Sequence, residues 1–123
     1  MKNSILVIDD DYSILSIFEY ALMDYDIHLH TTHSCHHAME YLQSSGPVDT
    51  IFLDVKMPSM SGVDFLKNTT LPSHTKVIMM TGYSVDSLIK EAFLYGGTGV
   101  LYKPFDVSEI IDLSLAKSNT LAR

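Results

Sequence analysis

The chain has 123 residues, of which 46% are hydrophobic and 19% are charged, so we expect one globular domain spanning residues 1–123. A formal net charge of −7 with only eight Lys and Arg residues argues against a nucleic-acid surface. No apolar run approaches the roughly 20 residues of a membrane span, and the lone Cys35 fits a reducing compartment, so we expect a cytoplasmic protein without membrane insertion.

Short apolar runs alternate with amphipathic segments along the whole chain. The predicted strands are residues 5–8, 27–31, 51–53, 77–80 and 100–102. The helices between them carry apolar faces, in chain order, at Ile14, Phe18, Ala21 and Leu22; at Cys35, Ala38, Met39 and Leu42; at Leu88, Ala92 and Phe93; and at Ile110, Ile111 and Leu115, with a shorter helix over residues 62–68. This alternation predicts an open α/β sandwich with a parallel sheet.

Polar side chains follow four of the predicted strands. In open parallel sheets the ligand site lies at the carboxyl ends of the strands. The residues expected there are Asp9, Asp10, Asp11, Asp54, Thr81 and Lys103. Crowded carboxylates repel one another unless a cation lies among them, and Mg²⁺ prefers oxygen ligands. We therefore expect a Mg²⁺ site at this edge, beside which Asp54 could attack a phosphoryl group.

Four segments, ILVIDDD, IFLDVKMPSMSG, VIMMTGYS and LYKPF, resemble the signature blocks of response-regulator receiver domains. The resemblance implies a flavodoxin-like, doubly wound fold with five parallel strands in the order 2-1-3-4-5 and five helices. It also implies a phosphoacceptor of a two-component system or phosphorelay. Such a domain takes its phosphoryl group from a histidine kinase or histidine phosphotransfer protein and signals by binding or phosphotransfer. It is not otherwise an enzyme, and it is expected to be a monomer or weak dimer.

The resemblance also implies a role for each site residue. Asp54 corresponds to the phosphoacceptor and to a metal ligand, Asp10 to a direct Mg²⁺ ligand and Asp9 to an acid that acts through metal-bound water. The backbone carbonyl of Lys56 would be a further metal ligand. The Thr81 hydroxyl and the Lys103 ammonium would contact the phosphoryl oxygens. The family also places a cis peptide bond before the proline that is Pro104 here.

Three further residues have more particular readings. Asp11 has no metal role in the family pattern, and we expect it to cap the first helix. Lys56 and Tyr83 correspond to positions that flank the phosphoryl group, and a long ammonium side chain and a bulky ring there predict slow autodephosphorylation. The same pair, and the tail KPFDVSEIIDLSLAKS, resemble single-domain regulators of the sporulation phosphorelay.

One departure from the family pattern concerns the fifth strand. Val100 stands where many receivers carry a switching aromatic residue, so we expect muted signalling through that surface. Tyr102 is aromatic but is expected on the opposite face of the strand.

Five histidines fall within ten residues of one another. We interpret His28, His30, His33, His36 and His37 as a solvated surface, with transition-metal binding or pH sensing as the alternatives.

Three other classes of protein compete with a phosphoacceptor. A flavodoxin-like cofactor binder needs a phosphate loop after the first strand, where this chain has three acids that would repel a phosphate. An aspartyl phosphatase would need an acid two residues after Asp54, where Lys56 stands. The remaining alternative is a receiver-like interaction module that works without phosphorylation.

Overall fold

The computed structural model describes residues 3–82 and 86–116, which fold around one parallel β-sheet. Its strands are β1 (Asn3–Ile8), β2 (Ile27–Thr32), β3 (Thr50–Asp54), β4 (Lys76–Thr81) and β5 (Gly99–Tyr102). Their order across the sheet is β2-β1-β3-β4-β5, and every neighbouring pair is parallel. The doubly wound five-stranded fold expected from the sequence is confirmed.

Five helices connect and follow the strands. They are α1 (Tyr12–Leu22), α2 (Cys35–Ser45), α3 (Gly62–Lys67), α4 (Asp86–Leu94) and α5 (Val107–Leu115). The Asp11 carboxylate accepts a hydrogen bond from the Ser13 backbone N–H at 2.9 Å, so the predicted cap of the first helix is confirmed. Within the described ranges, no helix is long and apolar enough to cross a membrane.

Each face of the sheet carries its own apolar layer. Side chains alternate along β1, so Leu6 and Ile8 pack with α2, α3 and α4, while Ile5 and Val7 pack with α1 and α5. The central strands are therefore buried on both faces, which is the burial that their unbroken apolar runs predict. Polar side chains that could carry chemistry therefore lie at two edges of the sheet, the amino edge, where the strands begin, and the carboxyl edge, where they end.

Three details of the expected packing are wrong. Phe93 and Leu115 were expected in the core but are 45% and 43% exposed. Each follows a fully buried residue by one position, Phe93 after Ala92 and Leu115 after Ser114, and one residue turns a helix by about 100°, which carries the side chain off the covered face. Tyr102 was expected on the opposite face of β5 from Val100, but the two residues lie on the same face, because strand residues two apart share a face.

Candidate functional site

The acidic residues at the carboxyl edge of the sheet come from two adjacent strands. Asp9 and Asp10 follow β1, and Asp54 is the last residue of β3, which pairs directly with β1. Asp9 is fully buried, Asp54 is 5% exposed and Asp10 lies at the surface. One carboxylate oxygen from each residue lies within 4.8 Å of the other two. The fold thus brings together the three acids that the sequence predicted to converge.

A lysine supplies positive charge to these acids. Lys103 directly follows β5, and its backbone N–H donates to the Thr81 carbonyl at 2.8 Å, which extends the pairing of β4 with β5. Its Nζ lies 2.8 Å from Asp9 Oδ2 and 3.5 Å from Asp54 Oδ2. The peptide bond between Lys103 and Pro104 is cis, as the family resemblance implied. The ammonium therefore bridges the two buried carboxylates and lies closer to Asp9.

Burial and repulsion make ionisation of Asp54 unfavourable. Removal of the carboxyl group from water is the largest cause, the charge of Asp9 is the next, and together they raise the pKa of Asp54 to about 7. Lys103 and the Lys56 N–H oppose this shift. Burial works to lower the pKa of Lys103, but its contacts with Asp9 and Asp54 outweigh burial and raise it. Additional positive charge at this site would favour the ionised form of Asp54.

Backbone hydrogen bonds orient the two buried acids. The N–H of Asp11 donates to Asp9 Oδ1 at 2.9 Å, and the N–H of Lys56 donates to Asp54 Oδ1 at 3.2 Å. The loop after β3 returns to the strand through Gly62, whose N–H donates to the Val55 carbonyl. A Cβ on Gly62 would lie 2.7 Å from the carbonyl oxygen of Asp54, so only glycine fits this approach. The position of the Asp54 carboxylate thus depends on the loop as well as on the strand.

The donor set suits a hard divalent cation. Three carboxylates offer oxygen atoms, which are the ligands that Mg²⁺ and Ca²⁺ prefer, and no His or Cys of the described ranges joins this group. Two of the acids are buried, and among the described residues one ammonium, that of Lys103, pairs with them, so these residues carry an excess of negative charge that a cation would relieve. An acidic cluster able to hold a metal ion is thus present at the edge where the sequence placed one.

The remaining predicted site residues differ in how closely they approach the acids. Thr81 ends β4 and is 4% exposed, beside the point where Lys103 enters the site. The Lys56 side chain is exposed, and its backbone makes the contact with Asp54. Tyr83 lies outside the described residues.

The histidines divide into two groups of contacts that the sequence did not distinguish. The His30 ring stacks on Tyr41 of α2 at 3.8 Å, and His28 Nε2 lies 3.3 Å from the Tyr41 hydroxyl. His33 and His37 instead contact each other, with ring centroids 5.4 Å apart. Four of the five are exposed and His30 is half-buried, which agrees with the expected surface location. The four-residue spacing of His33 and His37 across a helix start was the available signal for the second group.

Comparison with known proteins agrees with the fold. Residues 5–114 match the family model of the response regulator receiver domain. The chain is 29% identical over 113 residues to sporulation initiation phosphotransferase F of Bacillus subtilis, a match that covers 91% of this chain and 90% of that protein. The expected likeness to sporulation-phosphorelay regulators is therefore confirmed.

Other relatives share the same domain within different proteins. The chain is 32% identical over 111 residues to the transcriptional regulatory protein CpxR of Escherichia coli, covering 89% of this chain but only 46% of that protein. Its structure is similar to that of the Vibrio cholerae chemotaxis protein CheY4, with a TM-score of 0.83, 28% identity, and coverage of 92% of this chain and 96% of that one. The family match spans most of the sequence, and the chain therefore belongs to the response regulator receiver domain family.

Proposed function

We propose that this receiver accepts a phosphoryl group on Asp54, with Mg²⁺ bound by the adjoining acids, from a phosphohistidine on a histidine kinase or histidine phosphotransfer protein. The observation that carries the proposal is the contact set of Asp54. Its carboxylate is buried, lies within 4.8 Å of carboxylate oxygens from Asp9 and Asp10, and faces the ammonium of Lys103 at 3.5 Å.

The transfer exchanges one bond to phosphorus for another. A carboxylate oxygen of Asp54 attacks phosphorus, the N–P bond of the phosphohistidine breaks, and the imidazole leaves with the electron pair and takes up a proton. Asp54 must be ionised to attack, and its pKa of about 7 leaves it partly protonated near neutral pH. Mg²⁺ bound by Asp9 and Asp10, with the Lys56 carbonyl as a further ligand, would supply positive charge for Asp54 and for the phosphoryl oxygens.

Two more side chains act on the product. The Lys103 ammonium, already 3.5 Å from Asp54, neutralises a phosphoryl oxygen. The Thr81 hydroxyl, at the buried end of β4, donates a hydrogen bond to another phosphoryl oxygen. This contact makes the position of the loop after β4 depend on phosphorylation. The output is phosphorylation-dependent binding of a target protein, or onward transfer of the phosphoryl group, in the cytoplasm.

Treatment with a small-molecule phosphoryl donor tests this function most directly. Intact mass spectrometry should show one added phosphoryl group on the wild type in the presence of Mg²⁺ and none after its chelation. Asp54→Asn, which keeps the shape of the side chain but is a poor nucleophile, is the matched control and should remain unmodified. An unmodified wild type would favour the alternative, an interaction module that works without phosphorylation.

Binding of Mg²⁺ without phosphorylation is tested separately by thermal melting. A cation that binds the folded acid cluster raises the melting temperature, since the unfolded chain has no such site. Asp10→Asn should reduce the shift. An unchanged melting temperature, together with unchanged tyrosine fluorescence, at saturating Mg²⁺ would count against the metal site.

The lifetime of the phosphorylated form depends on Lys56 and Tyr83 in this proposal. We expect slow loss of the phosphoryl group from the wild type and faster loss from a Lys56→Asn, Tyr83→Glu double variant, whose smaller or charged side chains would admit and orient water. Decay is followed after removal of the donor with Mg²⁺ present. Equal rates of phosphoryl loss from the wild type and the double variant would show that neither side chain shields the phosphoryl group.

A further inference from the structure

A pair of histidines lies on the surface outside the acid cluster. His33 is in the loop between β2 and α2, and His37 is in the first turn of α2. Both side chains are exposed, their ring centroids lie 5.4 Å apart, and the ring planes are inclined by 57°. Neither residue has a part in the proposed phosphoryl chemistry.

The separation of the rings matches what one shared metal ion requires. An imidazole nitrogen binds Zn²⁺ at about 2.0–2.1 Å, which puts the ring centroid about 3.2 Å from the ion. Two imidazoles on one tetrahedral ion then have centroids about 5.2 Å apart. The observed 5.4 Å is close to this value, so the distance between the two rings is compatible with a shared ion.

Neighbouring residues hold both rings in place. Ser34 Oγ lies 3.0 Å from His37 Nδ1 and also accepts the backbone N–H of His37 at 3.0 Å. When the His37 Nδ1–H donates to that oxygen, Nε2 is the ring nitrogen that can bind an ion. Metal-bound histidines usually donate their other ring N–H to a neighbouring acceptor in this way. The Tyr12 ring packs against His33 with centroids 5.4 Å apart. The pair is thus more restrained than two isolated surface histidines.

We propose that His33 and His37 form a surface site for one divalent transition ion such as Zn²⁺, with water completing its coordination. Imidazole nitrogen is a ligand for Zn²⁺ and its neighbours in the transition series, whereas Mg²⁺ prefers oxygen, so this site and the acid cluster select different ions. The two rings are the protein ligands, and the negative charge of the chain, −7, favours cation binding.

The site adjoins the acid cluster through the backbone. Thr32 precedes His33, and its carbonyl accepts the backbone N–H of Asp9 at 3.1 Å. An ion on His33 would therefore fix the loop at the edge where Asp9 enters the acid cluster. The other histidine pair is a weaker candidate, because His28 and His30 already contact Tyr41.

Calorimetric titration of the full chain with Zn²⁺, in excess Mg²⁺ to occupy the acid cluster, tests the proposal. We expect the His33→Gln, His37→Gln double variant to lose one binding site or to bind at least about tenfold more weakly. His36→Gln, which removes an exposed histidine of the same helix, should bind Zn²⁺ as the wild type does. Circular dichroism checks that each variant is folded.

Nitrogen-15 NMR of the histidine rings identifies the ligand atoms. Zn²⁺ should shift His37 Nε2 and one ring nitrogen of His33, and leave the rings of His28 and His30 unshifted. Unchanged Zn²⁺ binding by the double variant would overturn the proposal. Loss of binding in a His28→Gln, His30→Gln variant, with the His33 and His37 rings unshifted, would overturn it as well by assigning the ion to β2.

Discussion

The two edges of the sheet hold their acids in different ways: the half-buried Asp49 lies at the amino edge, and the buried Asp9 and Asp54 lie at the carboxyl edge. At the amino edge, Asp49 Oδ2 accepts hydrogen bonds from the Ser4 N–H at 2.9 Å and from the Ser4 hydroxyl at 3.2 Å. At the carboxyl edge, Asp9 and Asp54 are buried close together and share one ammonium, that of Lys103. All three acids accept hydrogen bonds, but only Asp9 and Asp54 are crowded by each other's negative charge.

The carboxylate at the amino edge connects parts of the fold, whereas those at the carboxyl edge are arranged so that a bound cation would stabilise them. The Asp49 contacts join two neighbouring segments through neutral hydrogen-bond donors. The acids at the carboxyl edge raise one another's energy, as the raised pKa of Asp54 indicates, and a cation or a transferred group would relieve that repulsion. Changes at the carboxyl edge should therefore respond to Mg²⁺ and, through Asp54, to pH, whereas changes at the amino edge should not respond to Mg²⁺.

The largest effect is expected from removal of the shared ammonium. Lys103→Met leaves the fully buried Asp9 without its cation, and loss of one partner of a buried ion pair costs about 3–5 kcal/mol. We expect about 3 kcal/mol in metal-free buffer, because the Lys103 side chain is 23% exposed. Urea unfolding above neutral pH measures the loss, and saturating Mg²⁺ should restore part of it.

The control for this variant is the lysine of the amino edge. Lys76 Nζ donates to the Ala116 carbonyl and neutralises no acid cluster, so Mg²⁺ should restore nothing to Lys76→Met. Equal recovery of both variants in Mg²⁺ would erase the proposed distinction between the two edges.

The next effect is a change in the pH dependence of stability. The folded-state pKa of Asp54, about 7, lies above its usual 3.8, so the stability that Asp54 contributes is complete below about pH 3.8 and is lost as pH rises through about 7. In metal-free buffer the wild type should lose up to about 2 kcal/mol relative to Asp54→Asn between about pH 5.5 and 7. Urea unfolding of both proteins across this range measures the difference. Parallel profiles would contradict the crowding of Asp54.

A smaller effect is expected at the amino edge. Asp49→Ala removes the acceptor of the Ser4 N–H and hydroxyl, which costs about 1–2 kcal/mol for the donors left without it. Asp49→Asn keeps an oxygen acceptor and should lose less. The loss should be the same with and without Mg²⁺, and a Mg²⁺-dependent loss would show that the amino edge is coupled to the acids.

The sequence was informative about strands and edges and uninformative about side-chain contacts between them. The apolar run before Asp9 predicted a buried strand, and the carboxyl-edge rule gathered Asp54 and Lys103 from distant positions. The closer approach of Lys103 to Asp9 than to Asp54 depends on side-chain geometry that no spacing encodes. The stacking of His30 on Tyr41 likewise depends on how α2 packs against β2.

Helix faces could be predicted only approximately from apolar spacing. Ala92 and Ile110 are fully buried as their spacing requires, but Phe93 and Leu115 are exposed although each directly follows a fully buried residue, Ala92 and Ser114. One residue turns a helix by about 100°, so the covered face of the last helix includes the polar Ser114 and leaves out the apolar Leu115, which apolar periodicity alone does not predict.

The smallest effect is expected from the third acid of the run after β1. Asp11 is exposed, and its Oδ1 accepts from the Ser13 N–H and hydroxyl at 2.9 and 2.8 Å, so its carboxylate caps the helix and is not part of the acid cluster. Asp11→Asn keeps a capping oxygen and should change Mg²⁺ affinity less than about threefold, since an exposed charge is screened by solvent. Asp10→Asn, one residue earlier, should weaken Mg²⁺ binding by about tenfold or more because it removes a ligand charge. Calorimetric titration of the two variants compares them directly, and equal losses would mean that all three acids share the ion.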